Sequence, residues 1–470
     1  MSRTDTLKRR FEDKGTALRE FLERIAETHS ARGMAVAVID RNDTVYQDFL
    51  GYRDAERRLP IDENTLFGLA SVTKSFTALS MMQLAERGAV DLNAPVSAYV
   101  PEFHNSYQKS VTAAHFLSHT GGYYPRPRAL LSVLLKKLGI NPAETETAYD
   151  DRVAQAAVEE VAAGLDLNEP RLAEPGRMMS YCNDGYGLLS DMIRRFGGEG
   201  SYAAYVEKHV LAPLGMSRST CRFLAPARDS NAAKLYTETS ADWDYTRHAF
   251  VLNGGGAMKS TLSDMKKYLR MYLNRGRCEN GRLISAESAA MMVQPRVTTK
   301  HHVTYGFGLM NTIIGDITVH RHGGSLPGVS SHIAWSPELG AAAIVLCNTE
   351  NVPVALAADA LMRTAAGWNP APEDCWTDEP WDDSLIERSC GTYRSGEGAC
   401  VRICREGAGI SVTSGGENLP VRMVRGGIAL LTKGMSVSEV RPALDGDGNV
   451  YAVRLNDRML PRAEEQRAEQ

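Results

Sequence analysis

The chain of 470 residues contains no run approaching the ~18 consecutive apolar residues of a membrane-spanning helix. A bilayer anchor of that kind is therefore not expected. Its opening stretch, MSRTDTLKRRFEDKGTALREFLERIAETHS, carries charges throughout and has no apolar core of the sort a secretory signal requires. It reads as an amphipathic surface helix, and the expected location is the cytoplasm. Charge of one sign is also missing: 53 Lys and Arg stand against 57 Asp and Glu, a net −4. With no long basic run, the electrostatic footprint of a nucleic-acid binder is absent, and a small molecule or short peptide is the expected partner. The eight cysteines form no Cys-x-x-Cys pair and no Cys/His array at zinc spacing. Cys400 and Cys404, four apart in a strand-like stretch, offer no metal geometry, and all eight are expected to be free thiols.

What is present divides along the chain. GMAVAVID (33–40) and TVYQDFLGY (44–52), separated by Arg41-Asn42-Asp43, read as a hairpin. From about 65 to 300 the spacing is mostly helical, with Gly or Pro at the breaks. Strand signals return at ITVHRH (317–322), SSHIAWS (330–336) and AAAIVLCN (341–348), followed by an Ala-rich helix at 352–367. One antiparallel sheet built from the early hairpin and the late strands, covered by the first and last helices, leaves the middle of the chain as a helical lobe with a cleft beside it. WNPAPEDCWTDEPWDD (368–383) reads as a linker, and the short alternating runs of 384–470 as a small all-β, barrel-like domain. The expected architecture is thus α+β over 1–367 with a C-terminal β domain.

Three local patterns carry chemistry. Ser71-Val72-Thr73-Lys74 opens an apolar helix, so Ser71 and Lys74 share a face one turn apart. A serine hydroxyl needs a base, and a lysine whose charge is disfavoured by an apolar row can supply one. A serine in the first turn also has backbone N–H groups nearby for a developing oxyanion. Tyr181-Cys182-Asn183 precedes a second helical run: a tyrosine beside an ammonium is a candidate proton carrier, and the Asn183 amide can bond both Lys74 and a substrate carbonyl. His322-Gly323-Gly324-Ser325 ends a strand, where glycines let backbone approach a ligand and His322 is expected to face the cleft as a donor.

In this order the three patterns resemble those of serine β-lactamases and penicillin-binding proteins. The flanking LFGLASVTKSFTALSMMQLAERG, AAHFLSHTGG, EPGRMMSYCNDGYGLL, GGGAMKSTLSDMKKYL and YGFGL resemble the class C β-lactamase, esterase and D-aminopeptidase branch over roughly residues 20 to 365. The C-terminal part is similar to the barrels of D-aminopeptidase-like relatives. The resemblance implies Ser71 as nucleophile, Lys74 and Tyr181 as proton-transfer partners and Asn183 as a positioning group. It also implies His322, Gly323 and Gly324 as the third motif, and the backbone N–H groups of Ser71 and Ser325 as the oxyanion hole. No metal or organic cofactor is implied.

The sequence departs from that pattern where many β-lactamases have Lys-Thr-Gly. An imidazole at His322 anchors a carboxylate less well than an ammonium, which favours an ester, an amide or a D-residue peptide over a penicillin. Arg321 is expected on the opposite face of the strand. Cys182 is expected to turn into the lobe, and His119 to tie a loop. The connection between Gly122 and Glu174 is expected to roof the cleft; Tyr123, Tyr124, Arg126 and Arg128 read first as solvent-facing loop residues, with substrate contact the alternative. An acyltransferase or a weak β-lactamase would use the same residues. A catalytically silent scaffold is the reading from a different class, and the intact Ser71, Lys74, Tyr181 and Asn183 argue against it.

Overall fold

The computed structural model describes residues 2–103, 111–126, 131–139, 147–166, 172–223, 225–238 and 252–463. Central strands of the chain are continuous apolar runs because both of their faces are covered. Strands β1 (Gly33–Ile39), β2 (Thr44–Asp54) and β3 (Leu59–Pro60) come from the start of the chain. Strands β4 (Val297–Lys300), β5 (Val303–Tyr305), β6 (Met310–Ile314), β7 (Ile317–Leu326), β8 (Val329–Ser336) and β9 (Ala341–Cys347) come from later. They form a nine-stranded sheet in the order β3-β2-β1-β9-β8-β7-β6-β5-β4, every neighbour antiparallel.

One face of this sheet is covered by α1 (Arg3–Thr28) and α5 (Val354–Ala366). Ser2 caps α1 in a capping box with Asp5, and Leu7, Phe11, Leu18, Phe21, Leu22 and Ile25 form its buried stripe. They pack with Met34, Val36, Val38, Ala343 and Val345. Alternate residues of the same strands, Ala35, Ala37, Ala342, Ile344 and Leu346, point the other way into the helical lobe. There they join α2 (Thr73–Glu86), α3 (Asn183–Phe196) and α4 (Leu262–Leu273). Truncating Ile344 to Ala should cost about 2–5 kcal/mol, read as a lower urea midpoint. A midpoint equal to the parent's would show that this face is not close-packed.

Helix α2 is buried on nearly every side, so its Ser and Thr hydroxyls find partners within the core. Ser75 Oγ donates to Val72 O at 2.8 Å, Ser80 Oγ to Phe76 O at 2.9 Å, and Thr77 Oγ1 to Gly254 O at 2.8 Å.

Among its described residues the C-terminal region is all-β apart from α6 (Asp383–Ser389). One sheet holds β10 (Gly391–Arg394), β11 (Cys400–Glu406), β12 (Gly409–Ser414) and β13 (Glu417–Leu419). The other holds β14 (Val421–Val424), β15 (Ile428–Lys433), β16 (Ser436–Leu444), β17 (Val450–Leu455) and β18 (Arg458–Pro461). A bridge between Tyr393 and Arg462 and a shared core of Val401, Ile403, Val412, Leu431, Val440, Val453 and Leu460 join them. The acidic stretch read as a linker is fixed to this region: Trp381 enters the core, and Arg422 pairs with Asp374 at 2.7 Å and Asp378 at 2.6 Å. Among the described residues no helix is long and apolar enough to cross a membrane.

Candidate active site

Ser71 lies in a single 3-10 turn, Ala70–Val72, that runs directly into α2. Ala70 holds φ +46°, a left-handed conformation costing an alanine of order 1–3 kcal/mol. Neighbouring bonds hold it there. Leu69 N–H donates to Met258 O at 2.9 Å, Ser331 Oγ donates to Leu69 O at 2.6 Å, and Thr73 Oγ1 donates to Ala70 O at 2.6 Å. Ser71 stays partly exposed while α2 behind it is buried.

Lys74 is fully buried, and its Nζ lies 3.1 Å from Ser71 Oγ, 2.8 Å from Asn183 Oδ1 and 2.7 Å from Gly255 O. The Gly255 carbonyl can only accept, and Asn183 must present its oxygen because its Nδ2 donates to Glu397 Oε1 at 2.7 Å. Two Lys74 N–H groups are thus committed, and the remaining tetrahedral position faces Ser71. On an ammonium that position is a donor; on a neutral amine it is the lone pair that receives the serine proton.

Tyr181, also buried, hydrogen-bonds Ser71 through its hydroxyl. Its ring lies between His119, stacked at 4.0 Å, and the guanidinium of Arg458, 3.9 Å from the ring centroid. Burial holds the phenol above its usual range, while Arg458 and the Ser71 bond act in the opposite direction. Asn183 begins α3, which fixes the Tyr181–Asn183 spacing on the cleft side. His119 ties the loop as expected: with φ +57°, its Nδ1 accepts from Cys182 N–H at 3.1 Å and its carbonyl from Ser180 N–H at 2.9 Å. Cys182 turns into the lobe core, where burial pushes its thiol up to about 12, so no reactive thiolate forms.

The third motif corrects two expectations. The glycines lie within a strand rather than after one: β7 continues through His322, Gly323, Gly324 and Ser325 to Leu326, paired with β8. His322 is no cleft-facing donor. Its ring is buried, Nδ1 donates to Gly323 O at 2.7 Å, and Nε2 accepts from Tyr305 Oη at 2.9 Å. Burial first, then the Lys74 charge, pushes its pKa down to about 3, so it carries no charge near neutral pH. Gly324 has the reason for its identity in the site itself: a Cβ there would lie 2.2 Å from Leu69 O and 3.0 Å from Ser71 N. Ser325, next along β7, is exposed. Arg321 takes the opposite face, pairing with Asp359 at 2.8 Å and donating from Nε to His332 Nε2 at 3.0 Å.

Several groups at the site were not singled out by sequence reasoning. Gly255 and Tyr305 lie in the quoted GGGAMKST and YGFGL stretches, but a carbonyl acceptor and a buried phenol have no signature of their own. Glu397, in the turn between β10 and β11, and Arg458, opening β18, come from the C-terminal region. Nothing local marks either one. Of the residues expected in the roof, Tyr123 is buried against Phe116, and Arg126 lies 3.9 Å from Asp184, the neighbour of Asn183. Arg128 and parts of that connection fall outside the described residues.

A partly exposed serine bonded to both a lysine nitrogen and a tyrosine hydroxyl, beside a strand edge that abuts its own turn, is equipped for nucleophilic acyl chemistry. Among the described residues no group of His, Cys, Asp and Glu is placed to hold a metal ion. The family model described as beta-lactamase matches residues 18–366. The chain is 25% identical to penicillin-binding protein 4* of Bacillus subtilis (strain 168), covering 68% of each chain. It is 24% identical to a D-aminopeptidase of Gluconobacter oxydans (strain 621H), covering 76% of this chain and slightly less than two thirds, 64%, of that one. With esterase EstB of Burkholderia gladioli it shares 32% identity over 42% of this chain and 50% of the other. The octameric penicillin-binding protein homologue from Pyrococcus abyssi superposes with a TM-score of 0.67 at 23% identity, over 95% of this chain and 99% of that one, a likeness of fold. The motifs, the sheet and the match across most of the sequence agree, and the chain belongs to the beta-lactamase family of serine hydrolases.

Proposed function

We propose that the protein hydrolyses an ester, an amide or a short peptide, D-residue peptides included, through an acyl-enzyme at Ser71. Ser71 Oγ bonds to the substrate carbonyl carbon as its proton passes to the Lys74–Tyr181 couple. The backbone N–H groups of Ser71 and Ser325 receive the oxyanion. Collapse breaks the bond to the alcohol or amine, which leaves with that proton. Water then adds to the acyl carbon, returning a proton through the same couple and releasing Ser71. Asn183 orients Lys74, and His322 with Gly323 and Gly324 shapes the strand edge.

The observation that carries this reading is the Lys74 nitrogen, held by Asn183 and Gly255 with its remaining position aimed at Ser71 Oγ. Relatives named D-aminopeptidase and esterase support the substrate class. An uncharged His322 weighs against recognition of a penicillin carboxylate by the third motif. We further propose the division 1–367, 368–383 and 384–470 into hydrolase domain, linker and β domain.

Intact-protein mass spectrometry with p-nitrophenyl esters, D- and L-amino-acid p-nitroanilides, nitrocefin and a fluorophosphonate tests the reading. An adduct mapped to Ser71 and absent from Ser71→Ala is the expected result. No adduct and no turnover in either protein would return the chain to the scaffold reading. Products bearing an added amine instead of water would identify an acyltransferase.

A further inference from the structure

Ser71 bonds both Lys74 Nζ and Tyr181 Oη, and two proton arrangements of equal net charge satisfy those bonds. In the first, Lys74 is a neutral amine and Tyr181 a phenol: Tyr181 donates to Ser71 Oγ, and Ser71 donates to the Lys74 lone pair. In the second, Lys74 is an ammonium and Tyr181 a phenolate: Lys74 donates to Ser71 Oγ, and Ser71 donates to the phenolate. The hydrogen-bond geometry fits either arrangement. What distinguishes them is the balance at the Tyr181 ring between burial, which favours the neutral phenol, and the field of the neighbouring charges, which can favour the phenolate.

That field is set partly by another region of the chain. Two hairpin turns of the C-terminal β region reach the site. From the turn between β17 and β18, the Asp457 carbonyl accepts from Tyr181 N–H at 3.3 Å, and the Arg458 guanidinium lies over the ring, 3.9 Å from its centroid and opposite His119. From the turn between β10 and β11, Glu397 accepts from Arg458 Nε at 2.7 Å and from Asn183 Nδ2 at 2.7 Å, while Gly396 N–H anchors that turn to Pro125 O at 3.2 Å. Glu397 thereby fixes the guanidinium over Tyr181 and the Asn183 amide against Lys74 through a single carboxylate.

We infer that Arg458 is a positioning residue for the reaction: by stacking its cation on Tyr181 it favours the phenolate arrangement, so that Tyr181 takes the Ser71 proton. This rests on the acyl-serine reading above and extends it to the C-terminal region. The step balances. As the Ser71 Oγ–carbon bond forms, the serine proton moves to the Tyr181 oxygen, and the neutral phenol then gives it to the departing alcohol or amine. A guanidinium against a ring stabilises its anion more than its neutral form, as an opposite charge within ~4–6 Å does for any acid. The other groups around Tyr181 are accounted for. Lys74, 4.8 Å from the ring centroid, adds positive charge only in the ammonium arrangement; Asp457 and Glu397 oppose Arg458; and His119, Tyr186 and Tyr305 are buried and neutral.

The test is the pH dependence of single-turnover acylation by a p-nitrophenyl ester in the full chain. The proteins compared are the parent, Arg458→Ala, Arg458→Lys, Tyr181→Phe and the Tyr181→Phe/Arg458→Ala double variant. Arg458→Ala should move the acidic limb of the profile upward by about one unit or more, and Arg458→Lys should recover part of that shift because it keeps the charge. In the Tyr181→Phe background, Arg458→Ala should leave the limb where it is. If Arg458→Ala does not fold, Arg458→Gln replaces it, with circular dichroism as the check. A slower reaction with an unmoved limb overturns the inference, as does an equal shift in the Phe background. It is also overturned if only KM rises, and only for esters bearing a carboxylate, since Arg458 would then bind substrate. Failure of the parent to label at Ser71 would instead remove the acyl-serine reading itself.

Discussion

Lys74→Ala should lower the rate of Ser71 acylation by about 10²–10⁴-fold, the usual weight of a positioned proton-transfer group. The loss should fall on the acylation step rather than on substrate affinity, because Nζ bonds Ser71, Asn183 and Gly255, all parts of the protein's own framework. A second consequence separates this lysine from an ordinary buried one. Removing it leaves the Gly255 carbonyl and the Asn183 oxygen without that donor in the core, at a cost of roughly 1–3 kcal/mol per unsatisfied group. Slower acylation with a lower melting temperature is therefore the expected pair of results, measured by stopped flow on an activated ester and by calorimetry. Arg cannot replace Lys, because its fork does not fit a pocket built for one nitrogen with three tetrahedral contacts. Acylation at the parental rate in Lys74→Ala would remove the lysine from the chemistry altogether.

Gly324→Ala should be nearly as damaging, although it removes no functional group. The added methyl would lie 2.2 Å from Leu69 O, 2.5 Å from Ser331 Oγ and 3.0 Å from Ser71 N. The first and last of these are backbone atoms of the turn that carries the nucleophile, so either β7 or the turn must move. Overpacking of this kind costs about 1–3 kcal/mol. A displacement near 1 Å at a reacting group is enough to cost ~10²-fold in rate. Gly323→Ala provides the comparison, because its added methyl meets the His332 ring at 2.9 Å but comes no closer than 3.8 Å to Ser331 O or to any atom of the nucleophile turn. Labelling by a fluorophosphonate should drop steeply in Gly324→Ala and less in Gly323→Ala. Equal labelling in both would mean that β7 does not abut the nucleophile turn as closely as the geometry indicates.

Much of this site could be read from the sequence, because each motif is local. Ser71 and Lys74 are one helical turn apart, and Tyr181 and Asn183 bracket a helix start, so short-range periodicity alone puts each pair on one face. The strands of the sheet could be found for a similar reason. Ala341–Cys347 is apolar at every position because two layers cover it, and a run of that composition has few other uses.

The misreadings share a cause as well. Gly323-Gly324 looked like the end of a strand, since glycine usually weakens one, yet β7 keeps both because neighbouring groups occupy the space of their side chains. His322 looked like a donor for the cleft, but Tyr305, seventeen residues earlier, and its own neighbour's carbonyl take both ring nitrogens. A histidine's role depends on what surrounds it, and Tyr305, the partner that takes Nε2, lies on another strand, β5.

By itself the sequence pointed to the α+β plan and to the serine-hydrolase family, and local periodicity put Ser71 with Lys74 and Tyr181 with Asn183, while the roles proposed for them rest on the resemblance of the three ordered motifs. Only the tertiary structure decided that the third motif is a neutral, buried strand edge and that Glu397 and Arg458 stand at Asn183 and Tyr181. Those contacts join residues 214 and more positions apart, and their energy depends on distance in space, which no local pattern of side chains encodes.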